Sequence, residues 1–216
     1  MGLITISPTI LTDDPNRYKQ LVELYHPFTK RAQIDISDGT LAPSRTVPIN
    51  TTWWPKGWLV DIHMMVMQPS LYLDILTKLK PNLVIFHSEV QEDLTTVFDT
   101  LRQNDIKVGL AILKPTFPGD VRQYIADADH VMIFSGELGQ NGGAADLLQL
   151  EKVRIIKSIK KDVEIGWDGG ANVSNVRTIA QAGVNVINVG NALASADNPA
   201  KTYTMLSAEA EKQGVM

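Results

Sequence analysis

Residues 33–39 read Gln33-Ile34-Asp35-Ile36-Ser37-Asp38-Gly39. Along an extended strand successive side chains point to opposite faces. Ile34 and Ile36 share one face, and Gln33, Asp35 and Ser37 share the other. The apolar face suits packing beneath helices, so the polar face turns toward the inside of a barrel. A carboxylate there is costly unless it meets a cation, a hydrogen-bond network or water at an open end.

Working outward from this stretch, short apolar runs rich in Val and Ile recur along the chain. They predict eight strands: Leu3–Ile10, Ala32–Ile36, Leu59–Val66, Leu83–His87, Val108–Leu113, His130–Phe134, Val163–Trp167 and Val186–Val189. Continuously apolar runs fit parallel strands buried on both faces. Helices are expected at Asp13–Tyr25, Pro69–Leu79, Glu92–Asn104, Gly119–Ala126, Ala144–Lys160, Asn172–Ala182 and Asn198–Lys212. Start signals are the Asp residues and Pro of Asp13-Asp14-Pro15 and the early Pro69. Between the second and third strands, Val47–Trp58 carries three Trp and two Pro and predicts an irregular excursion. Trp53, Trp54 and Trp58 are read as packing residues, with a subunit contact as the other option. The β/α alternation over 216 residues, with no linker or composition shift, predicts a single (β/α)₈ TIM barrel domain spanning 1–216. A doubly wound open sheet is the alternative, weakened by the lack of Gly-x-Gly-x-x-Gly after the first strand.

Composition removes several function classes. The net charge is −4 with no run of like charges, which predicts no nucleic-acid groove and no anionic membrane surface. No cysteine is present, so thiolate nucleophiles, thiolate metal ligands and disulfides are excluded; this fits a reducing cytoplasm. The first residues carry no basic segment before their apolar stretch and read as a strand rather than a signal peptide. No apolar run approaches the roughly 18 residues of a membrane span.

In a barrel, chemistry gathers at the carboxyl ends of the strands. Asp61 and His63 lie on the same face of the third strand, and Asp168 follows the seventh. Each alone has an ordinary structural explanation. Together Asp35, His63 and Asp168 predict a shared catalytic or metal centre on one rim. A second group is rich in glycine: Gly142-Gly143, Gly169-Gly170 and Gly190-Asn191 stand in the loops after strands 6, 7 and 8. Glycine lets backbone approach a ligand closely, and barrels often bind phosphate after strands 7 and 8. These six residues are the candidate phosphate cradle.

On these same segments the sequence resembles the ribulose-phosphate 3-epimerases. The resemblance runs in order through Ile6–Leu11, Ile34–Gly39 with Pro43, Val60–Val66 with Pro69, Phe86–Glu89, Gly109–Pro118, Trp167–Gly170 and Val189–Ala192. It implies a TIM barrel of the ribulose-phosphate-binding type and a two-base isomerase acting at C3 of a ketose phosphate, ribulose 5-phosphate in the first instance. Asp35 would remove the proton on one face and Asp168 return one on the other. It also implies a divalent cation, Zn, Mn, Fe or Mg, held by Asp35, His63 and Asp168, with the enediolate stabilised by its charge. Ser7, Thr9, Met65 and His87 fall at positions expected to contact substrate. The implied partner is a small phosphorylated sugar, in a homo-oligomeric, cytoplasmic protein.

The chain departs from the family's pattern at several points. Gln33 stands where a fourth ligand, a histidine, is expected; an amide oxygen in its place favours harder ions. Thr9 replaces a serine, Ser37 a methionine and Lys114 an asparagine. The expected Pro-Gly-Phe-Gly-Gly-Gln lid becomes Leu138-Gly139-Gln140-Asn141-Gly142-Gly143-Ala144. Two further readings stay open: an epimerase for a related ketose phosphate, and a barrel that binds phosphate with altered or lost activity. Decarboxylase or aldol chemistry on such a barrel is disfavoured, because Gln33–Asp38 contains no lysine.

Overall fold

The computed structural model describes residues 4–140 and 142–212. Its centre is a closed barrel of eight parallel strands, each paired with its neighbours in chain order. The strands are β1 (Thr5–Ile10), β2 (Arg31–Ser37), β3 (Leu59–Met65), β4 (Leu83–His87), β5 (Lys107–Ile112), β6 (His130–Phe134), β7 (Glu164–Asp168) and β8 (Val186–Val189). Pairing of β1 with β8, from Thr5 opposite Val186 to Pro8 opposite Val189, closes the ring and rules out an open sheet. Leu3 and Asn141 lie outside the described residues, as do the parts of the expected elements that rest on them.

The helices are α1 (Pro15–Tyr25), α2 (Leu73–Leu79), α3 (Leu94–Arg102), α4 (Arg122–Asp127), α5 (Glu151–Ile159), α6 (Val176–Gln181), α7 (Asn191–Ala194) and α8 (Pro199–Ala210). Several begin later than the sequence suggested. Asp93 caps α3, accepting from Thr95 N, so the helix starts after it rather than at Glu92. The Asn172 side chain accepts from Ser174 N, folding that stretch into a turn and delaying α6 to Val176. The expected Ala144–Lys160 helix divides into a 3₁₀ turn at Leu147–Leu150 and α5. The segment after β2 holds only a 3₁₀ turn, Ile49–Thr51, matching the irregular excursion. Trp58 is buried there and Trp54 packs against the core. Trp53 stands edge-on to Tyr18, whose hydroxyl donates to the Trp53 carbonyl at 2.7 Å.

Two apolar regions follow from strand alternation. Ile34, Ile36, Ile62, Met64, Val84 and Phe86 turn outward into a large core shared with the helices. Leu83, Ile85, Ala111, Met132 and Phe134 turn inward and fill one side of the barrel. The rest of the interior is polar, including Ser7, Gln33, Asp35, Asp61, His63, His87, His130 and Asn188, all buried. Among the described residues, no helix is long and apolar enough to cross a membrane.

Candidate active site

Register sets the height of each inward side chain. Asp35 pairs with His63 across β2 and β3, while Gln33 pairs with Asp61. His63 Nδ1 lies 3.0 Å from Asp35 Oδ1. Asp168 ends β7, opposite Phe134 of β6. One ligand atom each from Asp35, His63 and Asp168 falls within 4.8 Å of the others. The expected rim constellation is therefore assembled.

Gln33 joins it from below. Its amide nitrogen donates to Asp35 Oδ1 at 2.9 Å and to Asp168 Oδ2 at 2.5 Å. Its oxygen is buried without a partner among the described residues. Burial raises the Asp35 carboxyl far above the ordinary carboxylate range, and the Gln33 amide offsets only part of this. Asp168 is raised too, by burial first and then by the charge of Asp35. Two such carboxyls close together resist ionising together. Burial pushes His63 and His87 down to about 4, so both imidazoles are neutral at pH 7.

A cavity of about 140 Å³ opens above these groups. Asp35, His63 and Asp168 form its floor, with Thr9, Met65, Phe134 and Asn188 around them. Gly142, Gly143, Gly169, Gly170, Gly190 and Asn191 all line it, so the residues expected to form a phosphate cradle border one cavity. Of the predicted substrate contacts, Thr9 and Met65 line the cavity, while Ser7 and His87 lie beneath it. Ser7 is fully buried, and its hydroxyl has no partner among the described residues. His87 meets His63 instead, Nε2 to Nε2 at 2.8 Å.

The loops after β6 and β7 approach each other closely. Gly169 and Gly170 take φ of +111° and +69°, and a Cβ at Gly169 would stand 2.1 Å from Gly136 N. Lys114, beyond β5, pairs with Glu137 of the loop after β6 rather than standing free at the mouth. The short α7 follows Gly190 directly.

Asp61 lies elsewhere. It is two residues before His63 and sits at the amino end of the barrel, where Arg31 Nε donates to it at 2.6 Å and Asn82 at 3.0 Å. Arg31 also grips Glu164 with two bonds of 2.8 Å, and His130 Nδ1 lies 2.7 Å from the same carboxylate. Alternation revealed the inward face of Asp61 but not its depth. Phe134 and Asn188, also in the cavity wall, carried no signal beyond their places near strand ends.

Fold and site define a barrel with paired acids and one imidazole at the carboxyl mouth, facing a glycine-lined cavity. Residues 5–194 match the model of the ribulose-phosphate 3-epimerase family. The chain belongs to that family of isomerases. It is 27% identical to the ribulose-phosphate 3-epimerase of Schizosaccharomyces pombe, covering 93% of this chain and 91% of that one. The cytoplasmic isoform of that enzyme from Oryza sativa is 26% identical, covering 95% and 94%. Among solved structures, 3-hexulose-6-phosphate synthase from Salmonella typhimurium aligns with a TM-score of 0.74 at 15% identity, covering 96% of this chain and 98% of that one. At that identity the likeness speaks for the fold alone.

Proposed function

We propose that the protein interconverts ribulose 5-phosphate and xylulose 5-phosphate by moving a proton on and off C3. The observation that supports this most is the pair Asp35 and Asp168, on β2 and β7, both lining the cavity, with carboxyls raised by burial. Inverting a carbon centre needs a group on each face, because one base that returns its proton to the same face changes nothing. Asp35 as carboxylate takes the C3 proton. Asp168 as carboxylic acid delivers another from the opposite side. Raised pKa values suit this division, since at neutral pH one group of the pair holds a proton while the other is free to take one. The glycine wall from Gly142 to Asn191 holds the phosphate, and Thr9 and Met65 border the sugar.

The site also suits a divalent cation. Asp35, His63 and Asp168 offer two oxygens and one nitrogen within reach of one another, and the unpartnered Gln33 oxygen is available as a fourth donor if the amide turns over. Such an ion supplies positive charge beside the enediolate oxygens. Three oxygen donors to one nitrogen favour Mg²⁺ or Mn²⁺ over Zn²⁺. Solution in the cytoplasm and assembly into a homo-oligomer accompany this reading.

The test is incubation with ribulose 5-phosphate in deuterated water, with Mn²⁺, Mg²⁺ or Zn²⁺ and without. Deuterium at C3 together with xylulose 5-phosphate is expected. Absence of exchange under every metal sinks the assignment for this substrate.

A further inference from the structure

Behind His63 lies a line of buried polar groups that the two-base reaction does not itself use. His63 Nε2 meets His87 Nε2 at 2.8 Å, and His87 Nδ1 faces Glu89 Oε2 at 3.4 Å. His87 Nδ1 and Glu89 Oε2 are both sealed from solvent, neither makes a hydrogen bond to any described residue, and each faces the other at the longer ion-pair distance of 3.4 Å. The other carboxylate oxygen, Glu89 Oε1, accepts from Leu113 N at 3.0 Å and from the Thr116 hydroxyl. Lys152 pins that loop by donating to the carbonyls of Leu113 and Lys114 at 2.7 and 2.9 Å. Phe134 packs against both imidazoles, its ring 5.9 Å from each.

We propose that Glu89 is a positioning residue that fixes the tautomers of both histidines and so leaves the His63 Nδ1 lone pair aimed at Asp35. Each link follows from donor and acceptor capacity. A carboxylate only accepts, so His87 carries its hydrogen on Nδ1. His87 Nε2 is then an acceptor, and His63 must donate from Nε2. His63 Nδ1 is left bare, 3.0 Å from a carboxyl oxygen. Two lone-pair atoms at that distance need a proton or a cation between them, which is where the candidate metal ligands converge. A carboxylate behind a ligating histidine commonly orients it in this way, and loss of such a partner weakens metal binding about 10–100-fold. The metal part rests on the proposed function; the tautomer part does not.

Glu89→Gln tests this with little change in shape. Leu113 N–H can only donate, so the Gln oxygen stays on it and the new NH₂ group faces His87. That inverts both imidazoles and puts a hydrogen on His63 Nδ1. The four histidines of the chain are few enough to assign. Two-bond proton–nitrogen spectra of the chelator-treated wild type are expected to show His63 protonated at Nε2 and His87 at Nδ1. In Glu89→Gln both are expected to exchange positions, and affinity for Mn²⁺ alone, by calorimetry, to fall at least tenfold. A wild-type His63 protonated at Nδ1 overturns the proposal without any variant. Unchanged tautomers in Glu89→Gln also overturn it, and inversion with unchanged Mn²⁺ affinity overturns the link to the metal. Inversion in a protein that never exchanges C3 deuterium counts against the proposed reaction only.

Discussion

The barrel holds a polar cluster at each end, and the two are built on opposite principles. At the amino end, Arg31 lies between Asp61 and Glu164, and His130 and Asn82 complete the network. At the carboxyl end, Asp35 and Asp168 share the amide of a neutral glutamine. Burial would raise Glu164, but bonds from Arg31 and His130 outweigh it and hold the carboxylate well below the ordinary range. At the carboxyl end burial wins and both acids rise, as it also does at the deeper Asp61 of the amino-end network despite Arg31. The acids meet a guanidinium where they support the fold and only a neutral amide where they face a cavity. An acid pair without a cation is the kind of arrangement found where proton transfer is needed.

The largest effect is expected at the carboxyl end: Asp35→Asn or Asp168→Asn lowers C3 exchange about 10²–10⁴-fold, followed by deuterium wash-in. Full activity in either variant refutes the two-base assignment. At the amino end, Arg31→Met strands two carboxylates and costs about 3–5 kcal/mol of stability by urea unfolding. Turnover per folded molecule should not change, and a cost below about 1 kcal/mol means the network is ornamental to the fold.

Stability should answer to pH with opposite signs at Asp35 and at Glu164. Asp35 has a raised folded-state pKa, so its stabilising effect is complete below the unfolded value near 4 and is lost as pH rises toward the folded one. Metal-free Asp35→Asn is therefore expected to be more stable than wild type by about 1–2 kcal/mol at pH 7, with no gain below pH ~4. Glu164 is depressed, so its contribution is present above about pH 4.5 and lost on acidification. Glu164→Gln should cost most at neutral pH and progressively less in acid. Denaturation series at several pH values check both, and slopes of the same sign would erase the distinction. The smallest effect is expected for Gln33→His, which should tighten Zn²⁺ about tenfold by exchanging an oxygen donor for imidazole. Unchanged affinity in calorimetry removes Gln33 from the metal site.

What the sequence made legible divides along the same axis. Alternation on β2 showed which side chains face inward, and apolar runs placed the eight strands within a residue or two. Asp35, His63 and Asp168 were readable because they stand at strand ends. Asp61 was harder, because alternation reports face and not height, and two residues of strand amount to about 6.6 Å along it. Whether an inward acid meets Arg31 or an open cavity depends on barrel register, which joins residues as distant in sequence as Arg31 and Glu164. Glu89 was visible in the motif after β4, but its partners Leu113 and Thr116 come from the loop after β5, which Lys152 of α5 holds in turn. Helix starts were blurred because Asp93 and Asn172 can satisfy backbone groups locally and set the boundary themselves.

The meeting of Gly136 with Gly169 has a consequence for inheritance. Two loops that are 33 positions apart in the chain occupy a space too small for one added methyl group, since a Cβ on Gly169 would lie 2.1 Å from Gly136 N and 2.7 Å from its Cα. Neither loop can drift alone. A mutation that enlarges one side would have to arrive with a backbone shift on the other, and that shift would carry Gly170 against Ala145, where a Cβ already has no room. Within the cavity wall, Gly169 and Gly170 are thus closed to any single enlargement, whereas Gly143 has open space around it.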